Sequence, residues 1–195
     1  MTFQYPEGAT PLDLNEIDGL RLSHIATREE LNRFEQENIL EAIEWLGRRR
    51  SKSDVLDPAF LCELHRRMFH RVWKWAGKYR KTEKNLGVPA WQISVEMKNL
   101  CDDVRAWIEH KTYEADEIAT RFHHRLVAIH PFSNGNGRWA RLAADVLLEE
   151  RFNSPRFTWG EAALEARGEP RTRYIEALQA ADQHDFRPLL QFVRS

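Results

Sequence analysis

The sequence predicts a mainly α-helical domain with one short β-hairpin. Apolar residues recur at spacings of three and four through most of the chain, most regularly over residues 97–108, as on the buried face of a helix. Residues 78–94 depart from this pattern, because their apolar side chains alternate weakly around Gly87 and Pro89. Such alternation beside turn-forming residues is typical of a hairpin or an irregular flap.

The composition indicates one domain of 27–195 preceded by an arm, residues 1–26, in which Pro and Gly discourage a long helix. A hydrophobic content of 42% with seven Trp is enough for a core. The formal net charge of −1 gives no reason to expect a nucleic-acid partner. No apolar run approaches the roughly 18 residues of a membrane span, and the start lacks a signal-peptide core. Cys62 and Cys101 lie in apolar helical patterns, so we expect buried thiols and a cytoplasmic protein without a membrane partner.

The first predicted helix covers residues 27–46. It opens on Thr-Arg-Glu-Glu, a capping box in which residues 27 and 30 satisfy each other's backbone N–H groups. Gly47 and the three arginines after it are typical of a helix end. Within this helix Glu35 and Asn38 fall inside the apolar stripe, whereas Glu37 falls at its margin.

The remaining helices follow from the same periodicity and from their start and stop signals. Asp57 before Pro58 opens the second, since Pro is tolerated at the first helical position after an Asp cap. The others are predicted over residues 97–108, 115–129, 138–151, 159–166, 171–181 and 186–193.

Residues 130–141, His-Pro-Phe-Ser-Asn-Gly-Asn-Gly-Arg-Trp-Ala-Arg, separate two of these helices. Pro131 biases the residue before it away from helical angles, so the preceding helix should end there. Gly135 and Gly137 allow a tight turn with positive φ before the next helix begins. A turn of this kind points backbone N–H groups outward at a helix N-terminus, where an anion is favoured.

Three side chains around the turn complete a predicted phosphate site with a base beside it. Arg138 and Arg141 are i,i+3 neighbours away from the apolar stripe, and their planar guanidiniums match phosphate oxygens. His130, with an ordinary pKa of about 6.5, can take a proton from a hydroxyl. Each feature alone has an ordinary explanation: Arg141, for example, could pair with Asp145 one turn on. Their concentration in twelve residues favours the functional interpretation.

The motif resembles the signature of the Fic domain family, His-Pro-Phe-x-Asn-Gly-Asn-Gly-Arg-x-x-Arg as it stands here, and the likeness extends over roughly residues 27–193. The resemblance implies a Fic-type helical bundle that transfers AMP from ATP to a hydroxyl of a target protein. The roles it implies are a general base, a core anchor, a Mg²⁺ position, an anion hole and a triphosphate clamp. They fall respectively on His130; Phe132; Asn134; Gly135, Asn136 and Gly137; and Arg138 and Arg141.

One position departs from the family pattern. The strongest AMP-transferring members carry Asp or Glu where this chain has Asn134. An amide oxygen can coordinate Mg²⁺ but attracts it less than a carboxylate does. We therefore expect Mg²⁺ to bind here with reduced affinity.

The predicted hairpin corresponds, by the same resemblance, to a flap that holds the target segment beside the catalytic histidine. Strand addition of this kind is a common way to grip extended peptides. The flap residues expected nearest to a Ser, Thr or Tyr hydroxyl of the target are Lys84, Asn85, Leu86, Gly87 and Val88. A plain connecting hairpin is the alternative.

The first helix resembles the inhibitory helix of self-inhibited Fic proteins, in which a glutamate followed by Gly or Asn pairs with the second motif arginine, here Arg141. Glu37 before Asn38 is the inhibitory candidate, with Glu35 second. Arg33 stands where the pattern has Ser or Thr, and an ordinary exposed glutamate is the competing interpretation. The arm and this helix together resemble the Fic subfamily called "mobile mystery protein B".

Two alternatives to AMP transfer stay open at this point. The same scaffold could transfer another phosphate-containing group, use another nucleotide, or remove AMP. It could instead be a weakly active, toxin-like binding module held by a regulatory or antitoxin partner.

Overall fold

The structure is a computed structural model that describes residues 17–22, 24–25, 27–49, 54–161 and 168–195. Its α-helices, in chain order, are α1 (Arg28–Arg48), α2 (Pro58–Phe69), α3 (Ile93–Glu109), α4 (Ala115–Ile129), α5 (Asn136–Leu147), α6 (Glu169–Asp182) and α7 (Arg187–Val193). Two 3₁₀ turns, Ala90–Gln92 and Trp159–Glu161, and a π-helical turn, Leu148–Phe152, lie between them. The prediction of a mainly helical fold is confirmed. Most of the arm predicted at 1–26, and the end of the short helix predicted at 159–166, lie outside the described residues.

The helix ends follow from their caps. The side chain of Thr27 accepts a hydrogen bond from the N–H of Glu30, and Glu30 accepts one from the N–H of Thr27, each at 3.1 Å. The predicted capping box is therefore confirmed at the start of α1. Asp57 caps α2 by accepting from the N–H of Ala59 at 2.9 Å, with Pro58 in the first turn as predicted.

The helices pack around α4 and α5, which lie against each other. α3 and α7 pack on α4, α2 packs on α5, and α1 and α6 cover α2 and α7 respectively. The segment before α1 is tied to the turn after α2, since the N–H of Arg21 donates to the carbonyl of Val72 and that of Lys74 to the carbonyl of Gly19. Across the described ranges, no helix combines the length and apolar character needed to cross a membrane. The result places the ends of α2, α4 and α5 around one turn, residues 130–137.

The predicted hairpin at residues 78–94 is wrong. The described residues 78–89 form turns and coil, and residues 90–94 enter a 3₁₀ turn and the start of α3. The backbone of this segment pairs with the 129–131 segment instead of with itself: the N–H of Arg80 donates to Pro131 and that of Val88 to Ile129. An irregular flap is present where a hairpin was expected, because tertiary partners take its hydrogen bonds.

Candidate active site

α4 ends at His130, as the following proline predicted, but in an unusual conformation. His130 has φ 53° and ψ 59°, in the left-handed region that residues with a Cβ seldom occupy. Its N–H still donates to Leu126 at 3.2 Å, so the helix closes normally before the chain turns. The left-handed residue redirects the chain within one peptide and leads it into the turn, with Phe132 buried as the predicted core anchor.

The turn needs a glycine at position 135. Gly135 has φ 78°, and a Cβ there would lie 2.6 Å from the ring of Phe69. Gly137 is different: it has no positive φ, contrary to the prediction, and a Cβ there would meet nothing within 4 Å. Gly137 belongs to the first turn of α5, so its conformational freedom is not what the fold uses.

The start of α5 leaves backbone donors available. The first helical hydrogen bond runs from the N–H of Trp139 to the carbonyl of Gly135. The N–H groups of residues 136–138 therefore precede the helical ladder, at the positive end of the helix dipole. Together with the open space beside Gly137, this is the geometry of an anion site.

Asn136 braces the turn through its side chain. Its Oδ1 accepts from the N–H of Phe132 at 2.9 Å, and its Nδ2 donates to the carbonyl of Phe132 at 2.8 Å. The side chain is buried, so only its backbone N–H can face an anion. The predicted anion-hole position is thus retained, with the side chain serving the loop.

His65 supports the same loop from α2. Its Nδ1 accepts from the N–H of Gly77, and its Nε2 lies 3.0 Å from the carbonyl of Asn134. The Nε2–H tautomer satisfies both bonds, because Gly77 can only donate and a carbonyl can only accept. Burial lowers the pKa of His65 to about 3, so the ring is neutral. The sequence predicted a structural or surface residue, and the structural alternative is confirmed.

His130 is held as a neutral imidazole. Burial first, and then the positive charges of Arg80 and Lys84, lower its pKa to about 4. At pH 7 the ring is therefore almost entirely in the form that can accept a proton. This electrostatic setting suits the predicted general base, although a lower pKa also makes the base weaker.

Arg80 is a site residue that the sequence analysis missed. Its buried guanidinium donates from Nε to the carbonyl of His130 at 2.8 Å, from Nη1 to Thr82 and from Nη2 to Val88. The side chain thus joins the flap to the backbone of the catalytic histidine. The only sequence signal was the familial look of residues 75–80, which did not single out Arg80.

The flap residues lie against His130, as predicted. A Cβ at Gly87 would lie 2.6 Å from the Cβ of His130, so the chain passes here only because residue 87 is glycine. Lys84 is near enough to lower the pKa of His130. Leu86 is exposed between them. The order of the segment places its solvent side beside the catalytic ring.

Arg138 contacts a glutamate from α1, and this glutamate is Glu35. Its Oε2 accepts from Arg138 Nη2 at 2.8 Å, and its Oε1 accepts from Trp73 Nε1 at 2.6 Å. The side chains of Arg138 and Glu35 are 13% and 2% exposed. Glu37 lies on the exposed face of α1. The choice of Glu37 is therefore corrected: the carboxylate that reaches the motif comes from the residue inside the apolar stripe.

Arg141 faces a different partner from both those considered in the sequence. It hydrogen-bonds the hydroxyl of Tyr174 on α6, with its Cζ 5.9 Å from that ring. Asp145 accepts from the N–H of Phe157 and from Trp159 Nε1, and burial raises its pKa to about 7. The two arginines of the motif are thus held by α1 and α6 from opposite ends of the sequence.

Asn134 is the one motif side chain with a candidate metal ligand. Its Oδ1 accepts from the N–H of Gly135 at 2.7 Å and keeps a second lone pair. Among the described residues no three His, Cys, Asp or Glu side chains cluster as a metal site. This donor set fits a Mg²⁺ ion that arrives with phosphates and takes one oxygen from the protein. It does not fit a metal held by protein ligands alone.

Comparison with known proteins agrees with this geometry. Residues 55–148 match the model of the Fic/DOC family. The chain is 30% identical over 146 residues to protein adenylyltransferase Fic of Nematostella vectensis and 27% identical over 147 residues to that of Aedes aegypti. Each match covers 73% of this chain, and the chain spans only 32% and 28% of the length of these relatives.

Solved structures show the same fold. The BepC protein of Bartonella tribocorum with bound AMPPNP superposes with a TM-score of 0.68 at 20% identity, covering 97% of this chain and 93% of that one. The N-terminal Fic domain of a cell filamentation protein from Bartonella quintana gives a TM-score of 0.70 at 19% identity, with coverage of 92% and 91%. At these identities the likeness supports the helical architecture.

Proposed function

This chain carries a Fic domain, and we propose that it is a protein adenylyltransferase that moves AMP from ATP to a Ser, Thr or Tyr hydroxyl of a target protein. The observation that carries the proposal is a neutral His130 directly before a turn that presents free helix N–H groups and two arginines. The relatives named protein adenylyltransferase support the choice of the transferred group.

The proposed reaction is an in-line displacement at the α-phosphorus. His130 takes the proton of the target hydroxyl as its oxygen bonds to phosphorus, and the bond to the β-phosphate oxygen breaks to release pyrophosphate. The N–H groups of residues 136–138 stabilise the charge on the α-phosphate oxygens, and Arg138 and Arg141 hold the remaining phosphates. Positioning and electrostatics supply the catalysis.

Mg²⁺ would be held by Asn134 together with the phosphates. When bound, it supplies charge neutralisation for the leaving pyrophosphate. Asn134 contributes a neutral oxygen, so the protein adds geometry and little charge to the metal site.

The target would lie on the flap and on an apolar surface beside it, which we define as Leu86, Trp91 and Val95. These three side chains are 45%, 78% and 59% exposed, and only Leu40 is a comparably exposed large apolar residue in the described chain. Trp91 and Val95 are one turn apart, and the N–H of Ala90 donates to Glu83, which closes the loop carrying Leu86. Exposed apolar clusters of this kind mark interaction sites. A protein seated here would be beside His130.

Replacing Trp91 by Ser is expected to reduce labelling of target proteins about tenfold or more, since a large aromatic residue often dominates an interface. Its affinity for ATP should not change, because Trp91 lies on the target side of the flap. The measurement is transfer of label to proteins in a lysate, beside ATP binding by calorimetry. Leu40→Ser, which removes an equally exposed apolar residue from α1, is the matched control and should behave as wild type. Equal labelling by both variants would remove this surface from the proposal.

We further propose that the resting protein is self-inhibited by Glu35. Its carboxylate occupies Arg138, a group that the reaction needs for phosphate. Trp73 fixes the second carboxylate oxygen, and Asn38 anchors α1 by bonding the carbonyl of Arg67 and the N–H of Arg71. A regulatory partner would act by withdrawing this helix.

The proposed function is tested by adding the purified chain and Mg²⁺ to a lysate with ATP labelled at either the α- or the γ-phosphate. Protein bands from the α label alone, lost when EDTA removes Mg²⁺, are the expected result. Bands from the γ label would assign phosphate transfer instead. ATP binding without any labelled band, even for a variant that releases Glu35, would favour the binding module.

A further inference from the structure

A buried tyrosine from outside the family match joins two helices of the site. Tyr174 lies on α6, beyond the matched residues 55–148, and is buried. Its hydroxyl is 2.9 Å from Nε2 of His123 on α4 and hydrogen-bonds Arg141 on α5. No role in the reaction has so far been given to Tyr174 or His123.

The chemistry of these groups sets the direction of the hydrogen bonds. A guanidinium can only donate, so the oxygen of Tyr174 accepts from Arg141. The single proton of the hydroxyl is then available for Nε2 of His123, which must be unprotonated to accept it. Burial first, and Arg141 second, lower the pKa of His123 to about 3, in agreement with a neutral ring. The chain of donors runs from Arg141 through Tyr174 to His123.

We propose that Tyr174, held by His123, is a positioning residue that aims the guanidinium of Arg141 at the terminal phosphates of ATP. The inference rests on the proposed function, in which Arg141 holds those phosphates. An arginine side chain has much rotamer freedom, and fixing it before the ligand arrives lowers the cost of binding. One N–H of Arg141 suffices for Tyr174, which leaves the others for phosphate oxygens.

The ring of Tyr174 also packs 5.6 Å from Phe192, so a purely structural role is the competing explanation. The two roles differ in what they predict for the nucleotide. Loss of packing would affect stability and every ligand alike. Loss of aim at Arg141 would affect only ligands that carry the terminal phosphates.

The test is Tyr174→Phe in the full chain, with ATP and AMP binding measured by calorimetry. Phenylalanine keeps the ring and removes only the hydroxyl. We expect ATP affinity to fall about tenfold, as for loss of a hydrogen bond to a charged group, and AMP affinity to stay at the wild-type value. Arg141→Ala should show the same selectivity with a larger loss.

The matched control is His124→Asn. His124 Nε2 bonds Asp182 at 2.8 Å, so this variant also cuts a link between α4 and α6 but leaves Arg141 untouched. It should lower the melting temperature and leave the ratio of ATP to AMP affinity unchanged. An equal loss of ATP and AMP affinity in Tyr174→Phe, or a loss in His124→Asn as selective as in Tyr174→Phe, would overturn the inference.

The outcomes also separate this inference from the proposed function. If wild type prefers ATP to AMP and Arg141→Ala removes the preference while Tyr174→Phe keeps it, the inference fails and the proposed function stands. If wild type itself binds AMP as tightly as ATP, Arg141 holds no terminal phosphate and both fail.

Discussion

Replacing His130 by Ala is expected to reduce AMP transfer by at least about 100-fold, since a positioned general base typically contributes that much or more. The fold should survive. Alanine keeps the Cβ against which Gly87 packs, and the left-handed backbone is no more strained for Ala than for His. The neutral ring leaves no buried charge behind when it is removed.

The pH dependence of the wild-type reaction tests the same residue. The base form of His130 is the reactive one, and its pKa is lowered to about 4. As the pH falls, kcat/KM should therefore stay level through pH 6.5, where an ordinary histidine would be half protonated, and decline only as pH 4 is approached.

Transfer of α-labelled AMP, followed with melting curves, measures the effect. His110→Ala, an exposed histidine at the end of α3, is the control and should retain full activity. Substantial labelling by a well-folded His130→Ala variant would mean that the proton leaves by another route, and the proposed base would have to be withdrawn.

Replacing Glu35 by Gln is expected to raise the rate of transfer about 10- to 100-fold, the range that a charge-assisted hydrogen bond is worth. Glutamine has the same shape and can still accept from Trp73, so α1 stays in place. The negative charge on Arg138 is lost, and phosphate then meets no competitor there. The variant should melt at a lower temperature, because a nearly buried Arg138 loses its partner, and ATP should restore more of that stability than in wild type.

Glu37→Gln is the matched control for this prediction. It makes the same chemical change two residues away, on the exposed face of α1. No change in rate or melting temperature is expected. Activation by Glu37→Gln in the absence of activation by Glu35→Gln would show that the contact with Arg138 does not restrain the enzyme.

Glu35 and Glu37 also show where sequence reasoning has its limit. The helical register of α1 placed Glu35 inside the apolar stripe, which was the correct signal, but the resemblance to an inhibitory motif outweighed it. Glu35 meets Arg138 across 103 residues of sequence, and Arg80 meets His130 across 50. Neither spacing produces a periodic pattern. A charged residue inside an apolar stripe should prompt a search for a distant partner.

The sequence by itself determined the helical fold, the capped starts of α1 and α2 and the motif of residues 130–141, because caps, periodicity and turns depend on neighbours in the chain. The tertiary structure alone decided the irregular flap and the partners of the two motif arginines. These depend on which buried polar groups must satisfy one another once the helices have packed, and that requirement appears only when distant segments share one interior.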